Sequence, residues 1–158
     1  MGIFKSAAKS GFSLKKDKEV SKGRTKLAST LLRLPVGLFV VNSGINKLGL
    51  KGEGAEGLQG MAATGIPAVN ELDADTFAKA IAYSEIGIGS ALIAPFIPNR
   101  LAGLALTTFG SGLLTMYFGN DENTEDDGIR PSQKGIPLAK DSWLVAIGTA
   151  LMALPNQK

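Results

Sequence analysis

The chain has no cysteine and no histidine among its 158 residues. The first absence removes disulfides, thiol redox chemistry and thiolate metal sites. The second removes imidazole ligands, haem ligation by histidine and every nucleophile that needs an imidazole base. Few enzyme classes survive both deletions, so the chain reads as a non-enzyme, and no catalytic residue, metal or resident cofactor is expected. Aromatic residues are scarce too, at 6%, with Trp143 the one tryptophan.

What is present is unevenly spread. A hydrophobic content of 44% is ordinary for a globular protein, but the mean hydropathy of +0.14 averages two unlike materials. Residues 1–33 hold nine of the seventeen Lys/Arg and only two acids. Within residues 1–26, Ile3, Phe4, Ala7, Ala8 and Phe12 recur at roughly helical spacing among lysines. That fits either a basic amphipathic cytoplasmic arm, for anionic lipid or an acidic partner, or a disordered tail. MGIFKS also matches the myristoylation pattern at Gly2 and Ser6, which matters only in a eukaryotic cell. No small-x-small cleavage site follows the apolar run from Leu34 to Ile45, so the basic start reads as an uncleaved anchor.

Residues 27–155 alternate four apolar blocks with polar connectors, and the expected spans are residues 28–50, 77–97, 101–119 and 141–155. The first has an uncharged centre of only thirteen residues, Leu34 to Asn46, but Arg33 and Lys47 at its ends have stems that reach an interface by snorkelling. The second carries one carboxylate, Glu85, roughly 12 Å in from Phe77 at helical rise. In a bilayer that is near the midplane, where an ionisable side chain marks a functional-site candidate. In water it would be a half-exposed surface glutamate. Leu101 to Asn120 is twenty residues without a charge, the strongest membrane signal in the chain.

The connectors offer weaker motifs. Gly52, Gly54 and Gly57 spell G-x-G-x-x-G, but no alternation of strands and helices surrounds them. A glycine turn into a short amphipathic helix (Leu58, Met61, Ala62, Gly65), ended by Pro67, is the plainer reading. The turn from Pro95 to Arg100 is short enough to make its neighbours an antiparallel helical hairpin. Residues 119–140 form an acidic extracytoplasmic loop. Its Asp121, Asn123 and Glu125 imitate an EF-hand start but lack the sixth-position glycine and twelfth-position glutamate.

If all four blocks span, the side holding both termini and the Pro95 turn collects eleven Lys/Arg and two acids, and the opposite side six Lys/Arg and eleven acids. That asymmetry puts both termini in the cytoplasm. Phe77, Tyr117, Phe118 and Trp143 would then mark the outer interface. Gly37 and Gly44 lie seven residues apart in the first span, as do Gly103 and Gly110 in the third, which suits close helix approach in a left-handed bundle. The expected fold is therefore all-α, a transmembrane four-helix bundle. Lys47 lies within roughly 8 Å of Glu85 in depth, so an ion pair helped by Asn46 is expected to pin two helices.

The stretches RLPVGLFVVNSGINKLG, MAATGIPAVNELDADTFAKAIAYSEIGIGSALIAPFIPNRLAGLAL and LAKDSWLVAIGTALM closely resemble the DoxX-like family of small four-helix membrane proteins. The matching positions are Arg33, Gly37, Gly44 and Lys47; Ile66 and Pro67; Glu85 and Gly89; Arg100; and Lys140 and Asp141. The family takes its name from subunits associated with thiosulfate:quinone oxidoreductase. The resemblance implies a multi-pass protein of a bacterial inner membrane and a partner of other integral subunits. It leaves out the basic arm and the acidic loop, and the missing thiol and imidazole depart from any catalytic redox role.

Three functions follow. The first is a non-catalytic accessory subunit of a larger membrane assembly, a respiratory or quinone-linked complex being the best fit. The second is an oxidoreductase component in which Glu85 relays protons, and the third is a small-molecule carrier. Lipid or quinone contact is compatible with the first two, and no nucleic-acid partner is expected.

Overall fold

A computed structural model describes the backbone of residues 3–155 and the side chains of residues 16–155. Among them every regular element is helical: α1 (Ile3–Lys47), α2 (Glu53–Ala63), α3 (Ala74–Ile93), α4 (Asn99–Phe118), α5 (Ile136–Ala139) and α6 (Ser142–Ala153), with three-ten turns at Pro67–Glu71 and Asp121–Asn123. Three segments are long and apolar enough to cross a membrane: residues 16–47, 99–118 and 136–153. The block around Glu85 does not qualify by its own composition.

The basic arm and the first span are one continuous helix. α1 has 45 residues, about 67 Å at helical rise, and runs through Pro35 without ending. No break falls at residue 26, and the helix stops at Lys47, short of the expected residue 50. The myristoylation pattern at Gly2 and the side chains of the amphipathic reading at residues 3–12 lie outside the described residues.

Two helix pairs pack tightly: α1 with α3, and α4 with α6. Glycine sets both contacts. A Cβ on Gly89 would sit 2.7 Å from the Gly37 carbonyl oxygen, and one on Gly103 would sit 2.5 Å from the Gly148 oxygen. At such distances only a hydrogen fits, so backbone meets backbone, the close packing that helices need where lipid supplies no hydrophobic push. Gly44 faces Ala82 and Glu85 of α3, while Gly110 faces Leu144 and Val145 of α6.

The pairs meet mainly at the end that holds the Pro95 turn. Leu92, Ala102, Leu106 and Leu151 form the buried core there, packed by Leu32, Val36 and Ile88. α3 and α4 follow one another through a short turn and run antiparallel, but they touch only sparingly, because each has a closer glycine-matched partner. At the other end they part, and α2 with the Pro67–Glu71 turn covers the gap. Gln59 ties that cover together by donating to the Val69 and Leu72 carbonyls, both at 2.8 Å. Gly52, the first glycine of G-x-G-x-x-G, takes φ +53° just before α2, a left-handed turn that favours glycine.

The acidic connector is built rather than loose. Asn123 is buried and donates to the Met116 and Tyr117 carbonyls, the Tyr117 hydroxyl donates to the Ile129 carbonyl, and Thr124 bridges Pro131. Asn123 thus faces inward, not toward a cation. Among the expected interface aromatics, Phe118 and Trp143 are exposed, but Phe77 and Tyr117 are buried. The phenol is drawn in by its hydrogen bond and Phe77 by the covered gap.

Candidate functional site

Glu85 sits midway along α3 and is only 5% exposed. Lys47, the last residue of α1, reaches it from the antiparallel neighbour, with Nζ 2.9 Å from Oε2 and 3.1 Å from Oε1. The third ammonium donor goes to the Ser43 hydroxyl at 2.7 Å, one helical turn back. Gly44 makes the approach possible, since a Cβ there would sit 2.6 Å from the Ala82 carbonyl oxygen. Asn46, expected to assist, is exposed, and Ser43 takes its place because positions i and i+4 share a helix face. The pair is neutral as a whole, and its attraction offsets part of the cost of taking the Glu85 carboxylate out of water.

Asp141, half-buried at the start of α6, lies within electrostatic reach of Glu85. Lys140, beside it, is exposed, as is Arg100 in the first turn of α4.

Arg33 was expected to reach outward to an interface, and instead it turns inward and is 5% exposed. Its Nε donates to the Leu92 carbonyl at 2.7 Å. Nη2 donates to the Ala91 and Ala94 carbonyls at 2.8 and 2.7 Å, and Nη1 to the Ile97 carbonyl and the Asn99 side-chain oxygen at 2.9 and 3.0 Å. All five guanidinium N–H groups are used. The reason is the end of α3: its last carbonyls have no helical partner and carry the negative end of the helix dipole, so a cation planted there satisfies both.

Asn99, 1% exposed, extends this cluster. Its oxygen also accepts from the Ser29 hydroxyl at 2.8 Å, and its amide nitrogen donates to the Pro155 carbonyl at 3.0 Å. One asparagine therefore joins α1, the start of α4 and the chain just after α6. Ser29 and Asn99 were not singled out from sequence. The available signal was that Ser29 and Arg33 share a face at i and i+4, as Ser43 and Lys47 do. A cavity of about 170 Å³ adjoins Arg33, lined also by Ser29, Thr30 and Leu92. With every Arg33 donor occupied, it offers an anion nothing that is not already bonded.

A second cavity, of about 180 Å³, lies where α3 and α4 part, lined by Leu58, Ile66, Phe77, Ile81, Phe109 and Met116 among others. It is almost wholly apolar and below the roughly 300 Å³ at which whole-ligand pockets begin, so it has room for a segment of a hydrocarbon chain.

In the connectors, Asp127 is held at about 2 by hydrogen bonds from the Arg130 side chain and from the Arg130 and Ile129 backbone. Glu122 is lowered by its hydrogen bond from Lys134, and Asp73 by that of the Thr76 N–H it caps. These carboxylates are committed to the fold of their connectors. Compared with protein-family models, curated proteins and solved structures, the chain finds no match in any of the three.

Proposed function

We propose that this chain is a four-span protein of a bacterial inner membrane, with both termini cytoplasmic, that serves as a non-catalytic accessory subunit of a larger assembly. α3 falls short of a span by composition, but it lies against α1 through Gly37, Gly44 and Gly89. If α1 crosses, its bonded neighbour crosses with it, and Lys47 shields the Glu85 charge from lipid. The charge asymmetry between connectors supports the orientation. The resemblance to DoxX-like proteins supports the bacterial setting and a respiratory or quinone-linked assembly, with the apolar cavity between α3 and α4 as the place of lipid or quinone-tail contact.

The observation that carries the accessory role is the closed Lys47–Glu85–Ser43 cluster. Its three ammonium donors are all taken within 3.1 Å, so the polar group in the apolar core joins two helices rather than waiting for a substrate. One feature favours a proton relay as the second reading: Glu85 is the one buried carboxylate among the described residues. Gentle detergent extraction from native membranes, followed by sizing, tests the first reading. The expected result is co-elution with other integral subunits, and a lone 16.4 kDa chain in its micelle would overturn it. In such an assembly, Glu85→Gln that abolishes turnover while leaving the subunits associated would favour the relay.

A further inference from the structure

The outward face of α1 carries a polar group that the fold leaves without a partner. Asn42 is exposed and, among the described residues, makes no side-chain hydrogen bond. It stands five residues before Lys47, roughly 7 Å along the helix axis from the end of the span. On the membrane reading, on which this inference rests, its amide faces hydrocarbon, which offers no hydrogen bond.

The residues around it form a seam. Leu31, Pro35, Leu38, Asn42 and Ile45 follow one another at intervals of four, three, four and three, and all are exposed, Leu31 by 63%, Leu38 by 56% and Ile45 by 53%. That is the a/d spacing of two helices that supercoil about one another, with a single asparagine at one seam position. Gly37, Val41 and Gly44, which meet α3, lie on a different face, so the seam is free while the α1–α3 pair is intact.

From this we infer that α1 pairs in parallel with α1 of a second copy of the chain, and that the two Asn42 side chains hydrogen-bond across the two-fold axis. The carboxamide is both donor and acceptor, so it complements itself. A two-fold axis along the membrane normal sets the same residue opposite itself at equal depth, whereas an unrelated helix would need a polar group at that depth by coincidence. The basic stretch from Lys16 to Lys26 would repel its copy if the two ran side by side. Crossing near Asn42, toward the far end of the span, lets those stretches diverge on the other side.

The absence of cysteine makes the test direct, because any introduced thiol is unique. Full-length Leu38→Cys and Ile45→Cys are expressed, membranes are sedimented, and mild oxidant is added before non-reducing electrophoresis. The off-seam control is Leu104→Cys, on the exposed face of α4. Expected is a species of twice 16.4 kDa from both seam variants and not from the control. Adding Asn42→Leu should lower its yield at least fivefold. Equal crosslinking of the control, no crosslink at the seam, an adduct with a different protein, or a yield indifferent to Asn42→Leu would each overturn the inference. Absence of the chain from the sedimented membranes would instead overturn the membrane reading itself.

Discussion

At the scale of single residues, buried Arg33 and partly buried Lys47 solve one problem in different ways. Arg33 has no carboxylate within ion-pair distance among the described residues and is held by carbonyls and an amide oxygen, whereas Lys47 is held by the Glu85 carboxylate. The planar guanidinium suits the first, since it spreads five donors over carbonyls that point in several directions. A lysine there would leave at least two acceptors unmet. For the second, the cost lies in breaking the pair. Glu85→Ala is expected to lower stability by about 3 kcal/mol, the low end for a buried pair because 24% of the Lys47 side chain stays exposed to offset the loss. Joint replacement of Lys47 and Glu85 by Met should recover most of that, since no charge is then stranded. Unfolding in mixed micelles measures both; equal losses in the single and double variants would show that the pair does not pin the helices.

Helices and connectors divide the work of holding the chain together. The glycine contacts commit α1 to α3 and α4 to α6, and the Asn99 cluster joins the two pairs at one end. The acidic connector is held by its own charges, which makes it sensitive to acid. Asp127 is lowered in the folded protein to about 2 from an ordinary value of 3.8. Its contribution to local order is therefore fully present above about pH 4 and is lost as pH falls through 3.8 toward 2. Exchange protection of the Ile129 and Arg130 amides, which donate to Asp127, should hold from pH 7 to about 4 and then fall. Asp127→Asn should flatten that profile. Protection that persists unchanged at pH 2 would mean the carboxylate does not hold the turn.

For the whole molecule, the number of crossings decides where the acidic connector lies. With α3 as a span, the connector and the basic start of α1 are on opposite sides; with only the three compositionally apolar segments crossing, they share a side. Single cysteines at Ser21 and Gln133, both on exposed stretches, separate the cases by labelling with a membrane-impermeant thiol reagent. In intact cells Gln133→Cys should label and Ser21→Cys should not, with both labelling after lysis. The reverse pattern would put the basic stretch outside, and labelling of neither or both in intact cells would remove the four-span arrangement.

Helix formation, the helical character of the connector after Gly52 and the glycine pairs of α1 and α4 were legible in the sequence. Each depends on local spacing or composition: Gly37 and Gly44 share a face whatever they meet. That Lys47 and Glu85 lie at similar depth could also be read from helical rise. The tertiary structure alone decided which helices pair, because chain order favours α3 with α4 while backbone approach at Gly89 and Gly148 favours α1 and α6 as their partners. It alone turned Arg33 inward, since the carbonyls it satisfies belong to a helix end some 60 residues away in the chain. Sequence fixes what each side chain can donate or accept; only packing determines which acceptors come within 3 Å of it.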